Sequence, residues 1–229
     1  MKKRIYAADD DTSIREILAT FLEDAGYLVS VFETGDDLLV AFEKEPCDLI
    51  LLDIMMLGRS GLELTKEIRQ LSTVPIILLT AKDTDMDYIL GINSGSDDYM
   101  IKPFRPSILM SRITALFRRI DMEQGQSKAD DFHFGDLTYS DKDHAFYVSE
   151  ENLHLTETEL QVMIYRIKGA GKAVSRDELL DTVWGMSADF ETRVTDETVR
   201  RIRKKLAGAN SQVSLKTVWD YGYKLGVLQ

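Results

Sequence analysis

The sequence is poor in cysteine, in long apolar runs and in positive charge. One thiol, Cys47, in 229 residues excludes an internal disulfide, and a chain that needs none suits a reduced, cytoplasmic setting. Placed at the entry to a strand-like run, Cys47 reads as a buried group rather than a reactive one. No apolar stretch reaches the ~18 residues of a membrane span, so no membrane partner is expected. The start, MKKRIYAADDD, is basic but lacks an apolar segment of signal-peptide length. The formal net charge is −11, which excludes a surface basic all over that grips nucleic acid or anionic lipid without selection. What is present is 44% hydrophobic residues, enough to bury real cores in one or two domains.

From residue 4 to residue 120, short apolar runs alternate with helical patterns. Strands are expected at Arg4–Ala8, Tyr27–Phe32, Leu49–Leu52, Ile76–Leu79 and Tyr99–Ile101. Helices are expected at Thr12–Ala25, Gly35–Glu45, Leu62–Gln70, Asp83–Ser94 and Pro106–Ile120. In the first, Ile14, Ile17, Leu18, Phe21 and Leu22 recur at helical spacing, and Gly26 follows as a stop. The run LILLD is apolar on both sides of its pleat, as a parallel strand covered by helices should be. The alternation predicts an α/β fold with a doubly wound, flavodoxin-like, five-stranded parallel sheet.

In such sheets ligands bind at the carboxyl ends of the strands, where strand order reverses. With the order 2-1-3-4-5, Asp9 and Asp10 follow the first strand, Asp53 ends the third, Thr80 follows the fourth and Lys102 follows the fifth. The acidic run DDDTS equally suits a solvated turn that caps the next helix. Five such residues at one sheet edge, however, point to a site. Carboxylates about 5 Å apart repel by roughly 3 kcal/mol at an effective dielectric of ~20. An all-oxygen set without His or Cys suits Mg²⁺, which cancels that repulsion and neutralises a phosphoryl group passing to a carboxylate nucleophile. Asp53, alone at its strand end, is the expected nucleophile, while Asp9 and Asp10 are better placed to hold metal. Lys102 offers a point charge for phosphoryl oxygens, and Thr80 offers a hydroxyl.

On Asp9–Asp10, on Asp53 with Met55 beyond it, on Thr80–Ala81, and on Tyr99 ahead of Lys102–Pro103–Phe104, residues 4–120 resemble the receiver domain of bacterial two-component response regulators. The resemblance implies that Asp53 is phosphorylated by a sensor histidine kinase. It implies that Asp10, Asp53 and the Met55 carbonyl hold Mg²⁺, with Asp9 acting through water, and that Thr80 and Tyr99 form a switch pair. It also implies a homodimer on phosphorylation. Asp97, Asp98, Arg112 and Arg119 match the family's intermolecular ion pairs, whereas Tyr88, Asn93, Ile108 and Thr114 stand where charged partners are usual. Leu57 replaces a proline common four residues past the acceptor.

Residues 121–131, DMEQGQSKADD, have no apolar period and read as a linker. They divide a receiver at 1–120 from a second domain at 132–229. There, short strands with turn signals predict a small antiparallel sheet. Capping boxes at Thr156–Glu159 and Ser175–Glu178 open two helices. A third, TRVTDETVRRIRKKLAG, carries six basic against two acidic residues from Arg193 to Lys205. Thr195, Val199, Ile202 and Leu206 make its buried stripe, and Arg193, Glu197, Arg200, Arg201 and Lys204 its opposite face.

With LTETEL, SRDELLDTVWG, VRRIRKKL and TVWDYGYKL, this half resembles the winged-helix DNA-binding domain of the OmpR/PhoB-like transcription factors. That resemblance places the third helix in the major groove. Arg201 is then the expected base contact, with Glu197 accepting from a cytosine amino group. Arg193, Arg200, Arg203, Thr217 and Tyr223 are the expected phosphate contacts on promoter DNA. The loop GMSADFET matches the segment that family members use to touch RNA polymerase. In the wing, Trp219 is expected to pack on the core and Asp220 to stabilise the turn.

Two rivals stand beside this reading. The Asp-x-Asp in DDDTS also resembles haloacid-dehalogenase-like phosphatases, with Asp9 as nucleophile and Asp11 as general acid. Against it, no cap-domain insertion is evident, Ser13 stands where that motif has Thr or Val, and the second half is left unexplained. A regulator, not an enzyme, is therefore expected. The other rival is a constitutive DNA-binding regulator, which the intact acidic site argues against.

Overall fold

The computed structural model describes residues 2–81, 94–125, 132–169, 171–184 and 193–228. Residues 82–93, with Tyr88 and Asn93 and nearly all of the expected Asp83–Ser94 helix, lie outside them. So do residues 126–131 of the expected linker and the loop at residues 185–192. The chain divides into two compact units, Met1–Ser111 and Arg112–Gln229.

The first unit is built on strands β1 (Arg4–Ala8), β2 (Leu28–Phe32), β3 (Leu49–Asp53), β4 (Ile76–Thr80) and β5 (Asp98–Ile101). All neighbours are parallel, in the order β2-β1-β3-β4-β5. Helices α1 (Thr12–Asp24), α2 (Gly35–Lys44) and α3 (Gly61–Leu71) connect them, and α4 (Pro106–Gly125) follows β5. Every residue of β3 and β4 is buried, which is why these strands are apolar on both faces. Leu18 and Leu22 of α1, Leu38 of α2, and Leu64 and Ile68 of α3 are fully buried. Ile17 falls at the flank of its stripe and is exposed.

Local chemistry starts each helix. The Asp11 carboxylate accepts the Ser13 N–H at 2.8 Å, Thr34 accepts from Asp37, and Ser60 with Glu63 forms a complete capping box. Gly26, at φ +92°, lets the chain leave α1. Helix α4 runs past the expected Ile120 to Gly125, because the Asp-Met-Glu-Gln run offers no breaker before that glycine. Cys47 is only half-buried, but burial pushes its thiol up to about 12.

The second unit opens with a four-stranded antiparallel sheet, β6 (Phe132–Phe134), β7 (Leu137–Ser140), β8 (Ala145–Val148) and β9 (Glu151–Asn152). Helices α5 (Glu157–Lys168), α6 (Arg176–Trp184) and α7 (Arg193–Gly208) follow. Strands β10 (Ala173–Ser175), β11 (Val213–Val218) and β12 (Gly222–Val227) form a second sheet in the order β10-β12-β11. The expected stripe of α7 is buried at Thr195, Val199, Ile202 and Leu206. The short β10 goes beyond the expected hairpin. It fits because Gly222 has no side chain: a Cβ there would lie 2.0 Å from the Val174 carbonyl oxygen.

Each capping box of this unit is half made. Glu159 accepts the Thr156 N–H at 2.9 Å, while the buried Thr156 hydroxyl has no partner among the described residues. Ser175 accepts the Glu178 N–H at 3.0 Å, but the Glu178 carboxylate takes the Tyr165 hydroxyl instead.

Candidate functional site

Strand register brings the acidic residues together. Ala8 pairs with Leu52 across β1 and β3, so Asp9 and Asp53 leave the sheet side by side. Asp9 is fully buried and Asp53 is 3% exposed, whereas Asp10 is exposed. One carboxylate oxygen from each of Asp9, Asp10 and Asp53 lies within 4.8 Å of the others. At that separation two carboxylates repel by about 3 kcal/mol at an effective dielectric of ~20.

Lys102 answers this charge. Its Nζ lies 2.6 Å from Asp9 and 2.9 Å from Asp53. Burial disfavours the Lys102 ammonium, but bonding to the two carboxylates outweighs it and holds the group above the ordinary lysine value. Burial also pushes the Asp9 carboxyl above its usual range, against the pull of Lys102 and of the Asp11 N–H. Among the described residues, one ammonium faces these three carboxylates, and the Arg15 guanidinium bonds the Asp9 backbone carbonyl at 2.7 Å. The all-oxygen donor set suits a hard cation. Asp9, Asp10 and Asp53 are the residues that would hold such an ion, each offering a carboxylate oxygen.

The neighbouring groups are also in place. Thr80 ends β4 and is buried, as is Tyr99 of β5. Leu78 pairs with Tyr99 and Thr80 with Ile101, so Thr80 and Tyr99 share one face of the sheet. The Lys102 N–H donates to the Thr80 carbonyl at 2.6 Å. The Met55 N–H donates to Asp53 at 3.3 Å, and the Met55 side chain is exposed at the rim. Sequence reasoning missed Gly61. A Cβ there would lie 2.1 Å from the Asp53 carbonyl oxygen, so only glycine lets α3 start this close to the end of β3. The signal was a glycine, not an N-cap residue alone, at a helix start.

The expected dimer residues part company. Asp97 is 1% exposed. It bonds Arg69 at 2.6 Å and accepts the Ile76 N–H at 3.0 Å. This corrects its assignment to an intermolecular bridge: the carboxylate is spent inside its own unit. Asp98 is buried and accepts the Tyr99 N–H. Arg112 is partly exposed, and the side chain of Arg119 lies outside the described residues.

The face of α7 divides in a similar way. Arg200 and Lys204 are exposed, and Arg200 pairs with Glu197. Arg201 is 8% exposed and lies 3.3 Å from the buried Glu159, which Lys205 also meets at 2.7 Å. An outward Arg201 is thereby corrected. Tyr223 is corrected too: it is 3% exposed and donates its hydroxyl to Asp196. Burial, reinforced by that bond, pushes the phenol above its ordinary value. Arg176 bonds Asp196 at 2.9 Å and lies over the Tyr223 ring. Arg203 donates to Leu215 at 2.5 Å and to Thr217 at 2.8 Å, and also lies over that ring. These contacts brace the wing against α7. Trp219, expected in the core, is 89% exposed, because it stands in a turn whose Asp220 takes φ +54°. The side chain of Arg193 lies outside the described residues.

Comparison with known proteins bears on both halves. The family model for the response regulator receiver domain matches residues 5–114. The model described as transcriptional regulatory protein, C terminal, matches residues 150–225. The alkaline phosphatase synthesis transcriptional regulatory protein PhoP of Bacillus subtilis is 35% identical over 233 residues, covering 98% of this chain and 97% of its own. The DNA-binding response regulator MtrA of Mycolicibacterium smegmatis is 36% identical, with 99% and 98% covered. Among solved structures, a mutant of RitR aligns with TM-score 0.75 at 25% identity over 98% of this chain and 99% of its own. The response regulator DrrB, a Thermotoga maritima OmpR/PhoB homolog, aligns with TM-score 0.53 at 30% identity over the whole of both chains.

Proposed function

The chain belongs to the response regulators that join a receiver domain to an OmpR/PhoB-type DNA-binding domain, and from that membership we propose which of its residues carry signal to promoter. It is a DNA-binding transcriptional regulator of the phosphorylation-activated kind. Asp53 is the phosphoryl acceptor in this reading. An Asp53 oxygen attacks the phosphorus of a phosphohistidine on a sensor kinase; the O–P bond forms as the P–N bond breaks, and the imidazole leaves with its electron pair. Asp9, Asp10, Asp53 and the Met55 carbonyl would hold Mg²⁺, which supplies charge neutralisation at the phosphoryl group. Lys102 turns from Asp9 to a phosphoryl oxygen, and Thr80 donates its hydroxyl to another. Tyr99, on the same sheet face, follows Thr80 as the second switch residue.

The observation that carries this reading is Lys102 held between Asp9 and Asp53. The phosphatase alternative fits the geometry less well. Asp9 is fully buried under Lys102, and the Asp11 carboxylate is occupied by the Ser13 N–H. No helix among the described residues is long and apolar enough to cross a membrane. A bacterial regulator that must reach promoter DNA works in the cytoplasm, and that is the location this reading assigns.

The effector half reads DNA through α7 in the major groove, with Arg200 and Lys204 outermost and Glu197 paired to Arg200. Phosphorylation promotes a homodimer in which Arg112, Asp98 and Arg119 remain candidates, and residues 185–192 meet RNA polymerase. The functional division stays at 1–120, 121–131 and 132–229, with α4 reaching into the middle segment. The test is the phosphoryl adduct itself. Acid-labile, hydroxylamine-sensitive phosphate should form only with Mg²⁺, map to Asp53, and vanish in Asp53→Asn; a label on Asp9 would favour the phosphatase.

A further inference from the structure

The loop between β3 and α3, residues 54–60, leads away from Asp53 and contains no proline. Gly58 within it takes φ +84° and has nothing within 4 Å of where a Cβ would stand. A backbone this permissive must be held by neighbouring groups. Both ends of the loop are tied. The Ile54 N–H donates to the Leu79 carbonyl at 2.9 Å, and the Gly61 N–H donates to the Ile54 carbonyl at 3.1 Å. Ser60 then caps α3 with Glu63. Between these ends, the Met55 and Leu57 side chains are exposed and lend the loop little packing.

Two other side chains hold the middle. Met56 is buried, and its methyl group would lie 3.2 Å from a Cβ placed on Gly35, at the start of α2. Arg59 reaches both flanking helices. Its Nε lies 3.2 Å from the Asp36 carboxylate in the first turn of α2, and its Nη1 donates to the Glu67 carboxylate on α3. A planar guanidinium suits this task, because its rigid fork can serve two carboxylates at once. The Met55 carbonyl lies between the Met55 N–H, which donates to Asp53 at 3.3 Å, and the buried Met56. A loop released at Arg59 would let that carbonyl drift from the Asp53 carboxylate.

We infer that Arg59 is a positioning residue for Mg²⁺: by clasping Asp36 and Glu67 it fixes the loop, and with it the Met55 carbonyl, beside the acidic cluster. The inference rests on the reading of Asp9, Asp10, Asp53 and Met55 as the residues that hold the metal. Arg59 is not a ligand in this account and acts only through the loop. Its own charge works against the role. By charge alone a nearby guanidinium repels a cation, so removing it should tighten Mg²⁺ binding. Removing a clasp should loosen binding, because ordering the loop then consumes more of the binding free energy. The two effects differ in sign, which makes the role of Arg59 measurable.

The probe is MgCl₂, titrated calorimetrically into the full, unphosphorylated chain. Arg59→Ala should weaken Mg²⁺ binding about fivefold, the scale of two partly exposed ion pairs. Arg59→Lys, which offers a point charge in place of the fork, should fall between that variant and wild type. Asp36→Asn combined with Glu67→Gln should lose as much as Arg59→Ala, and adding Arg59→Ala to that pair should cost nothing further. Hydrogen exchange of the amides at residues 55–59 should quicken in Arg59→Ala. Mg²⁺ binding that is unchanged or tighter in Arg59→Ala overturns the inference, as does weaker binding with exchange at residues 55–59 left as in wild type. A wild type that binds no Mg²⁺, or binds it no better than Asp10→Ala does, overturns the metal reading itself and the inference with it.

Discussion

Replacing Lys102 by methionine removes the ammonium that bridges Asp9 and Asp53 and keeps the stem. The lost contacts are 2.6 and 2.9 Å long, and neither carboxylate can reach bulk water readily, being fully buried and 3% exposed. Breaking a buried pair in this way costs about 3–5 kcal/mol. Protonation sets a ceiling, because neutralising a carboxyl of ordinary value near 3.9 at pH 7 costs about 4 kcal/mol. At pH 5 the same ceiling is about 1.5 kcal/mol.

The direction with pH follows from Asp9, whose carboxyl burial already raises. A carboxyl raised in the folded state stabilises fully below its unfolded value and loses that stabilisation as pH climbs through the folded one. The variant should therefore be weakest near neutrality. Hydrogen exchange of β1 and β3 amides in the full chain reads this locally, comparing variant with wild type at each pH. Without divalent cation, exchange should quicken more than a hundredfold at pH 7 and about tenfold at pH 5. Millimolar Mg²⁺ should recover most of the loss, since a ligand that binds only the folded state stabilises it. A variant within threefold of wild type at pH 7, or equally affected at both pH values, would refute this account of the cluster's electrostatics.

Other outcomes follow from individual contacts. Gly61→Ala drives a Cβ against the Asp53 carbonyl; it should destabilise by about 1–3 kcal/mol and slow phosphoryl incorporation at least tenfold, measured by denaturation and by labelling with acetyl phosphate. Asp97→Asn should destabilise the monomer by about 3 kcal/mol, visible in calorimetry, rather than act on the dimer alone. Cys47, with its thiol pushed up to about 12, should react with iodoacetamide at pH 8 at least a hundredfold more slowly in the native chain than in urea.

The strand ends could be read from sequence because burial between helices imposes a simple pattern. β1 fell where expected at Arg4–Ala8, and β3 and β4 each gained only the polar residue that ends them, Asp53 and Thr80. The convergence of Asp9, Asp10 and Asp53 came from the same rule, since parallel strands must present their carboxyl ends together. What the pattern could not show were pairings between polar groups far apart in the chain. Arg201 turns inward because Glu159, on α5, is buried beside it. The α7 row Val194, Thr198 and Arg201 is buried next to the apolar stripe, and no hydrophobic count reveals a row that is mostly polar. Asp97 is claimed by Arg69 for the same kind of reason. Trp219 misled in the opposite direction. Hydrophobicity argues for burial, but a turn with Asp220 at φ +54° carries the indole outward.

In the proposed function, a phosphoryl group on Asp53 raises the affinity of the α7 face for promoter DNA. Equilibrium binding to a promoter fragment recovered by footprinting, measured with and without prior phosphorylation in wild type and in Asp53→Asn, tests it most directly. Phosphorylation should tighten binding by the wild type at least tenfold and leave Asp53→Asn unchanged. Equal affinities for both wild-type forms, or an equal gain in the variant, would contradict it.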